Sequence, residues 1–288
     1  MSLSVLTLVR GRERHLANLM RSLGEQSCLP TELVIAWMQP EPFEDLPSLR
    51  FPVKHVFVEG EDLPLAKARN AAATAASGDT LMFLDVDCIA SPTVVESYSA
   101  ALNEHDGICL SEVLYLPAEV TDFRGDYGVL DELGKPHVSK PRFPEFGRVE
   151  QEPDGGQLWG LSFALRKRTW QAIGGMDERF VGYGGEETDF AASAEQAGVK
   201  TYRVGGARVY HQHHPVLIPP LHNFDPILRN ARLFQEKHGR WCMGYWLGQF
   251  REAGLIRWAE DGDALDVLRF PDPTEIEAAR QPGTVLYS

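Results

Sequence analysis

The chain has 288 residues, 43% of them hydrophobic, and a formal charge of −13. That length supports one sizeable α/β core plus an appendage, and the acidic balance argues against nucleic acid or an anionic membrane surface as a generic partner. No run approaches ~18 uninterrupted apolar residues, no signal-like segment opens the chain, and Cys28, Cys88, Cys109 and Cys242 lack zinc-like spacing, so the expectation is a soluble, reducing, cytoplasmic setting that leaves room for peripheral membrane contact.

In chain order, Ser4–Val9 reads as a buried strand, and Leu16, Leu19, Met20 and Leu23 then mark one face of a helix. Leu33–Trp37 and Val53–Val58 are short apolar runs separated by the Pro-rich loop 40–52. The Ala-rich stretch Pro64–Ser77, closed by Gly78, predicts a helix. A strand over Leu81–Leu84, a helix opened by Ser91-Pro92 and a strand over Ile108–Leu114 complete a βαβ rhythm. That rhythm predicts a largely parallel, doubly wound sheet with ligands at the strands' C-terminal edge. Pro117–Gly156 has no sustained period and reads as a functional loop or lid. Order returns with a strand at Leu161–Leu165, helices near Lys167–Ile173 and Glu186–Ala197, strands at Thr201–Val204 and Ala207–Tyr210, and a helix over Asn223–His238. The acidic, Pro-containing last thirty or so residues read as a surface tail or docking arm.

Chemistry concentrates in two acidic clusters. Asp85-Val86-Asp87 ends the apolar run Thr80–Leu84, and on a strand residues i and i+2 face the same side. Two oxygen donors there suit Mg²⁺ or Mn²⁺, and a later imidazole suits Mn²⁺. Gly184-Gly185-Glu186-Glu187 opens a helix about a hundred residues on, with His211, His213 and His214 beyond it. First-turn acids also complement a helix dipole without any catalytic duty, but the preceding glycines let a substrate approach. A divalent ion neutralising a departing diphosphate, plus a free carboxylate for proton transfer, implies group transfer from a nucleotide-activated donor.

Several motifs occur in a specific order: Thr7 to Arg10, Ala68-Arg69-Asn70, Asp85-x-Asp87, Gly174–Glu187 and Val209–His211. In that order they resemble the family 2 inverting glycosyltransferases of GT-A fold, with a galactosyltransferase-like C-terminal half. The resemblance implies a mostly parallel mixed sheet flanked by helices. It places a glycosyltransferase domain over residues 1–220, a nucleotide-sugar half at 1–115, an acceptor and catalytic half at 157–215, and a helical extension and tail at 221–288. It assigns the metal to Asp87 and His211, and the general base to Glu187. Glu186 would hold an acceptor hydroxyl or the donor sugar. Thr7, Val9, Arg10, Arg69, Asp85 and Asp87 are the implied nucleotide-sugar contacts, and Trp159, Gly160, Gly185 and Glu186 the implied acceptor contacts.

The implied reaction is metal-dependent (Mn²⁺ or Mg²⁺) inverting transfer of one sugar, UDP-linked by expectation, to a saccharide or glycoconjugate hydroxyl. Two departures weaken details. Ala36-Trp37-Met38-Gln39 lacks an acidic residue after the second strand to hold the base, and Glu187 stands where relatives often carry Asp. A nucleotidyltransferase is the first alternative, although the loop Val9–Arg14 holds a single Gly. A non-catalytic nucleotide- or carbohydrate-binding module is the second.

Overall fold

The computed structural model describes residues 2–60 and 62–287. Strand β1 (Leu3–Val9) is buried along its whole length and pairs in parallel with β2 (Glu32–Trp37) and β4 (Thr80–Leu84), while β3 (Val53–Phe57) extends β2. Helices α1 (Glu13–Gly24) and α2 (Leu65–Ala75) make the crossovers, covering opposite faces. Ala66, Ala68, Ala72 and Ala73 are buried on α2, and their small side chains let it lie close on the sheet.

A turn after β4 leads to β5 (Cys88–Ala90), α3 (Val94–Glu104) and β6 (Gly107–Tyr115). Then come α4 (Tyr127–Leu133), β7 (Lys135–Pro136) and β8 (Val149–Glu152), followed by β9 (Ser162–Arg166), α5 (Lys167–Ile173), α6 (Glu186–Gln196) and β10 (Lys200–His211). The main sheet runs β3-β2-β1-β4-β9-β6-β10-β5, with β7 on β6 and β8 on β10. It is mixed: β9 runs antiparallel to both β4 and β6. The parallel half was legible from the βαβ rhythm; the inserted antiparallel strand was not, because apolar runs carry no direction.

Three expectations change, the last of them at the C-terminal segment. The segments expected as strands at Thr201–Val204 and Ala207–Tyr210 are one strand, β10, with residues 204–207 standing opposite Ser111 alone as a bulge beside β6. The stretch 117–156 is not structureless: it holds α4, β7 and β8. Phe123 and Leu130 are buried there beside Ile89, Leu114, Leu116 and Tyr210, and Asp131 accepts bonds from Arg208 and the Tyr210 hydroxyl.

Beyond β10, α7 (Phe224–His238), α8 (Gly244–Glu252) and the hairpin β11 (Ile256–Trp258) and β12 (Leu265–Val267) share an apolar cluster that includes Phe180 and Ala192. Helix α9 (Pro273–Ala278) is closed by a capping box on Asp272. The chain then returns alongside residues 216–218 through a Leu217–Arg280 bridge and a Gln281 N–H donating to the Val216 carbonyl. The last segment is therefore folded against the body instead of forming an arm. No described helix is long and apolar enough to cross a membrane.

Candidate active site

The Asp-x-Asp segment lies on the turn between β4 and β5, so its carboxylates do not share one strand face as expected. Asp85 faces α2, where Arg69 Nη2 reaches its Oδ1 at 3.4 Å. Asp87 faces the other way: Arg12 Nη1 donates to its Oδ2 at 2.9 Å, and the Nε2 atoms of His211 and His214 lie 3.5 and 3.8 Å from its carboxylate. Strand register brings this about. His211 is paired with Cys88 of β5 and Tyr115 of β6, and the Gln212 N–H donates to the Asp87 carbonyl at 2.7 Å.

Ligand atoms of Asp87, His211 and His214 lie within 4.8 Å of one another. One carboxylate and two imidazoles match the preferences of Mn²⁺ better than those of Mg²⁺, which favours an all-oxygen shell. The cluster selects His214 over His213, whose carbonyl instead faces the His15 ring. Burial lowers the pKa of His211 and brings that of His214 down to about 4, so both rings are neutral at pH 7, as ligation requires. Burial works against ionisation of Asp87, but the neighbouring His211 imidazole and Arg12 guanidinium outweigh it and hold the carboxyl below its ordinary value. The His211 Nδ1 is buried without a hydrogen-bond partner.

The second acidic pair is tied to the first through Arg69, which is 2% exposed. Its guanidinium donates to Glu186 Oε1 at 3.2 Å and Glu187 Oε1 at 2.8 Å, besides the Asp85 contact. One buried cation thus holds three carboxylates. Burial together with the Glu187 charge pushes Glu186 up to about 7, and burial takes Asp85 to about 7 against the pull of Arg69. The two glutamates differ in access: the Glu187 side chain is 26% exposed and that of Glu186 3%.

Backbone freedom makes the arrangement possible. Gly185, at φ 92°, is the residue before α6 and aims Glu186 and Glu187 inward. A Cβ on Gly160 would run into the Glu187 carboxylate and Arg69 Nη2, so a side chain there would displace both end groups. Trp159 is half-buried next to it, with the Lys140 ammonium 3.5 Å from its ring centroid. Of the remaining expected contacts, Thr7 and Val9 are fully buried in β1. Arg10 braces two loops, donating to the Met38 and Gly60 carbonyls, and Gln39 Oε1 accepts from the Gly11 N–H.

The sequence reading missed Arg12 and Lys140. Arg12 lay in the basic loop after β1, where its left-handed φ of 61° was not readable from composition. Lys140 lay in the aperiodic stretch.

Two family models and several solved structures match the chain. The family described as glycosyl transferase family 2 matches residues 38–167, and that described as N-terminal domain of galactosyltransferase matches residues 149–215. Validoxylamine A glucosyltransferase of Streptomyces hygroscopicus subsp. jinggangensis is 28% identical over 169 residues, covering 52% of this chain and 39% of that protein. Among solved structures, TarS 1–349 of S. aureus in complex with UDP-GlcNAc superposes with a TM-score of 0.54 at 15% identity, covering 88% of this chain and 72% of that one. GalNAc-T7 with UDP, GalNAc and Mn²⁺ gives 0.52 at 17% identity, covering 74% of this chain and 44% of that one. The two family matches together span residues 38–215, and the fold is that of the GT-A glycosyltransferases.

Proposed function

We propose that the chain transfers one sugar from a nucleoside-diphosphate sugar, UDP-linked, to the hydroxyl of a saccharide or glycoconjugate with inversion, using Mn²⁺. The observation that carries the reading is that Asp87, His211 and His214 converge on one side of the turn, while Glu187 stands on the other side of Asp85 and Arg69. The UDP and Mn²⁺ bound to structurally similar GalNAc-T7, and the UDP-GlcNAc bound to TarS, support the choice of donor and metal.

Asp87, His211 and His214 would hold the metal, which when bound supplies positive charge for the departing diphosphate. Arg12, already on Asp87, is placed to add a second cation there. Thr7, Val9 and Arg10 shape the nucleotide side at the end of β1. Glu187 takes the proton of the acceptor hydroxyl as that oxygen attacks the anomeric carbon, and its exposure lets it reach an acceptor. Glu186 and Gly185 position the hydroxyl, Trp159 and Gly160 line its approach, and Arg69 keeps the carboxylates at fixed spacing.

Calorimetry tests the donor half. UDP and Mn²⁺ should each tighten binding of the other, and Asp87→Ala should abolish that coupling; unchanged coupling in the variant removes Asp87 as a ligand. Glu187→Gln tests the base: UDP binding stays, while transfer drops about a hundred- to ten-thousandfold.

A further inference from the structure

Lys140 is a half-buried cation that makes no ion pair among the described residues. Its Nζ donates to the Gln157 carbonyl at 2.5 Å and lies over the Trp159 ring, whose other neighbours include His137 at 4.8 Å between ring centroids. Lys140, Gln157, Trp159 and Arg203 line one cavity, and Arg203 is already engaged by Glu150 and Glu152. The carboxylates whose fields reach Lys140 are Glu152, Glu187 and Asp154; Asp85 and Asp87 are not among them. Its amine therefore sits on the side of Glu187 and Trp159. Burial lowers the lysine to about 7, because a carbonyl and a ring face replace water without supplying a full negative charge.

We propose that Lys140 is an acceptor-binding residue that recognises an anionic group, a phosphate or a carboxylate, on the sugar that receives the transfer. This rests on the function proposed above and narrows its acceptor class. A half-buried cation with no carboxylate within ion-pair distance pays for its lost hydration, and an anion carried in by the acceptor offsets that cost while fixing the acceptor hydroxyl relative to Glu187. Because the free amine titrates near 7, affinity for an acidic acceptor falls as pH rises above about 7, where the ammonium is lost. The surrounding Glu152, Asp154 and Glu187 charges support the ammonium, and His137 and Arg203 are the facing basic groups.

The test is amine labelling of the full chain with trinitrobenzenesulfonate at pH 7.5, read by peptide mass. Lys140 should react ahead of ordinary lysines, since only unprotonated amine is attacked. Hexose 6-phosphate or hexuronate should protect it, and neutral hexose should not. Transfer to the acidic sugars should lose about tenfold or more in kcat/KM in Lys140→Met, with UDP–Mn²⁺ affinity retained as evidence of an intact fold. Loss of UDP–Mn²⁺ affinity in Lys140→Met with an unchanged melting temperature reassigns the lysine to the donor diphosphate and overturns the proposal. Equal treatment of acidic and neutral sugars overturns it as well. Failure of the wild-type protein to bind UDP would instead count against the transferase reading, so the two failures are separable.

Discussion

At the scale of residues, the site is organised by Arg69. Its position in the Ala-rich helix was visible in the sequence, and so was each carboxylate it holds, but a one-dimensional pattern cannot say that one guanidinium joins Asp85, Glu186 and Glu187. The burial that makes this hub also makes it costly, and the cost is measurable through pH. A carboxyl raised from 4.5 to about 7 in the folded protein keeps a proton that the unfolded chain has already released. Glu186 therefore makes stability fall as pH rises from about 4.5 to about 7, with no further change above. Glu186→Gln lacks this dependence. The melting temperature of the variant relative to wild type should climb across that window and then level; a difference flat in pH would show that Glu186 is ionised throughout. Among the histidines, the family position pointed to His211 but could not separate His213 from His214, because the turn after β10 decides which ring lies toward Asp87.

At the scale of elements, helices and strands with clear apolar periodicity were legible to within a few residues, and the C-terminal helix α7 was among them. Its purpose was not. Asn230, fully buried on α7, donates through Nδ2 to the Gly184 carbonyl at 2.7 Å and the Val181 carbonyl at 3.2 Å. Farther along, Lys237 and His238 hold Asp189 in the first turn of α6. Helix α7 therefore fixes the turn that aims Glu186 and Glu187. Replacing Asn230 by Ala leaves the Gly184 carbonyl without this donor and the Val181 carbonyl with Arg229 alone, a cost of about 1–3 kcal/mol. The turn should loosen, lowering kcat while UDP–Mn²⁺ binding, set by the opposite side of the site, stays close to wild type. Asn230→Asp keeps the shape but lacks the donor, so it should resemble the Ala variant. Full activity in Asn230→Asp would show that shape alone matters.

At the scale of the whole molecule, three distant segments meet over the metal-ligand side. Tyr115 at the end of β6 packs on His211 at 4.9 Å and on Tyr287 at 4.9 Å, and Tyr287 lies 4.1 Å from His137, which in turn abuts Trp159. The sequence offered no route to this file of rings, since the chain from 279 to 287 is irregular and its placement depends on backbone bonds to residues 216–218. The file divides the stretch 117–156 into two parts with different expected behaviour. Residues 120–136 are anchored by Phe123, Leu130 and the Asp131 bonds, so they should exchange amide hydrogens slowly with or without ligand. Residues 137–148 carry Val138 at 85% and Phe146 at 65% exposure and are tied inward through His137 and Lys140. They should exchange fast in the free protein and slow when UDP and Mn²⁺ are bound, as a lid that excludes water from the donor does. Tyr287→Ala removes one side of the His137 contact, so it should raise exchange in 137–148 while leaving 120–136 unchanged. Equal ligand protection in both segments would mean that the stretch moves as one lid, and no protection in either would remove the lid altogether.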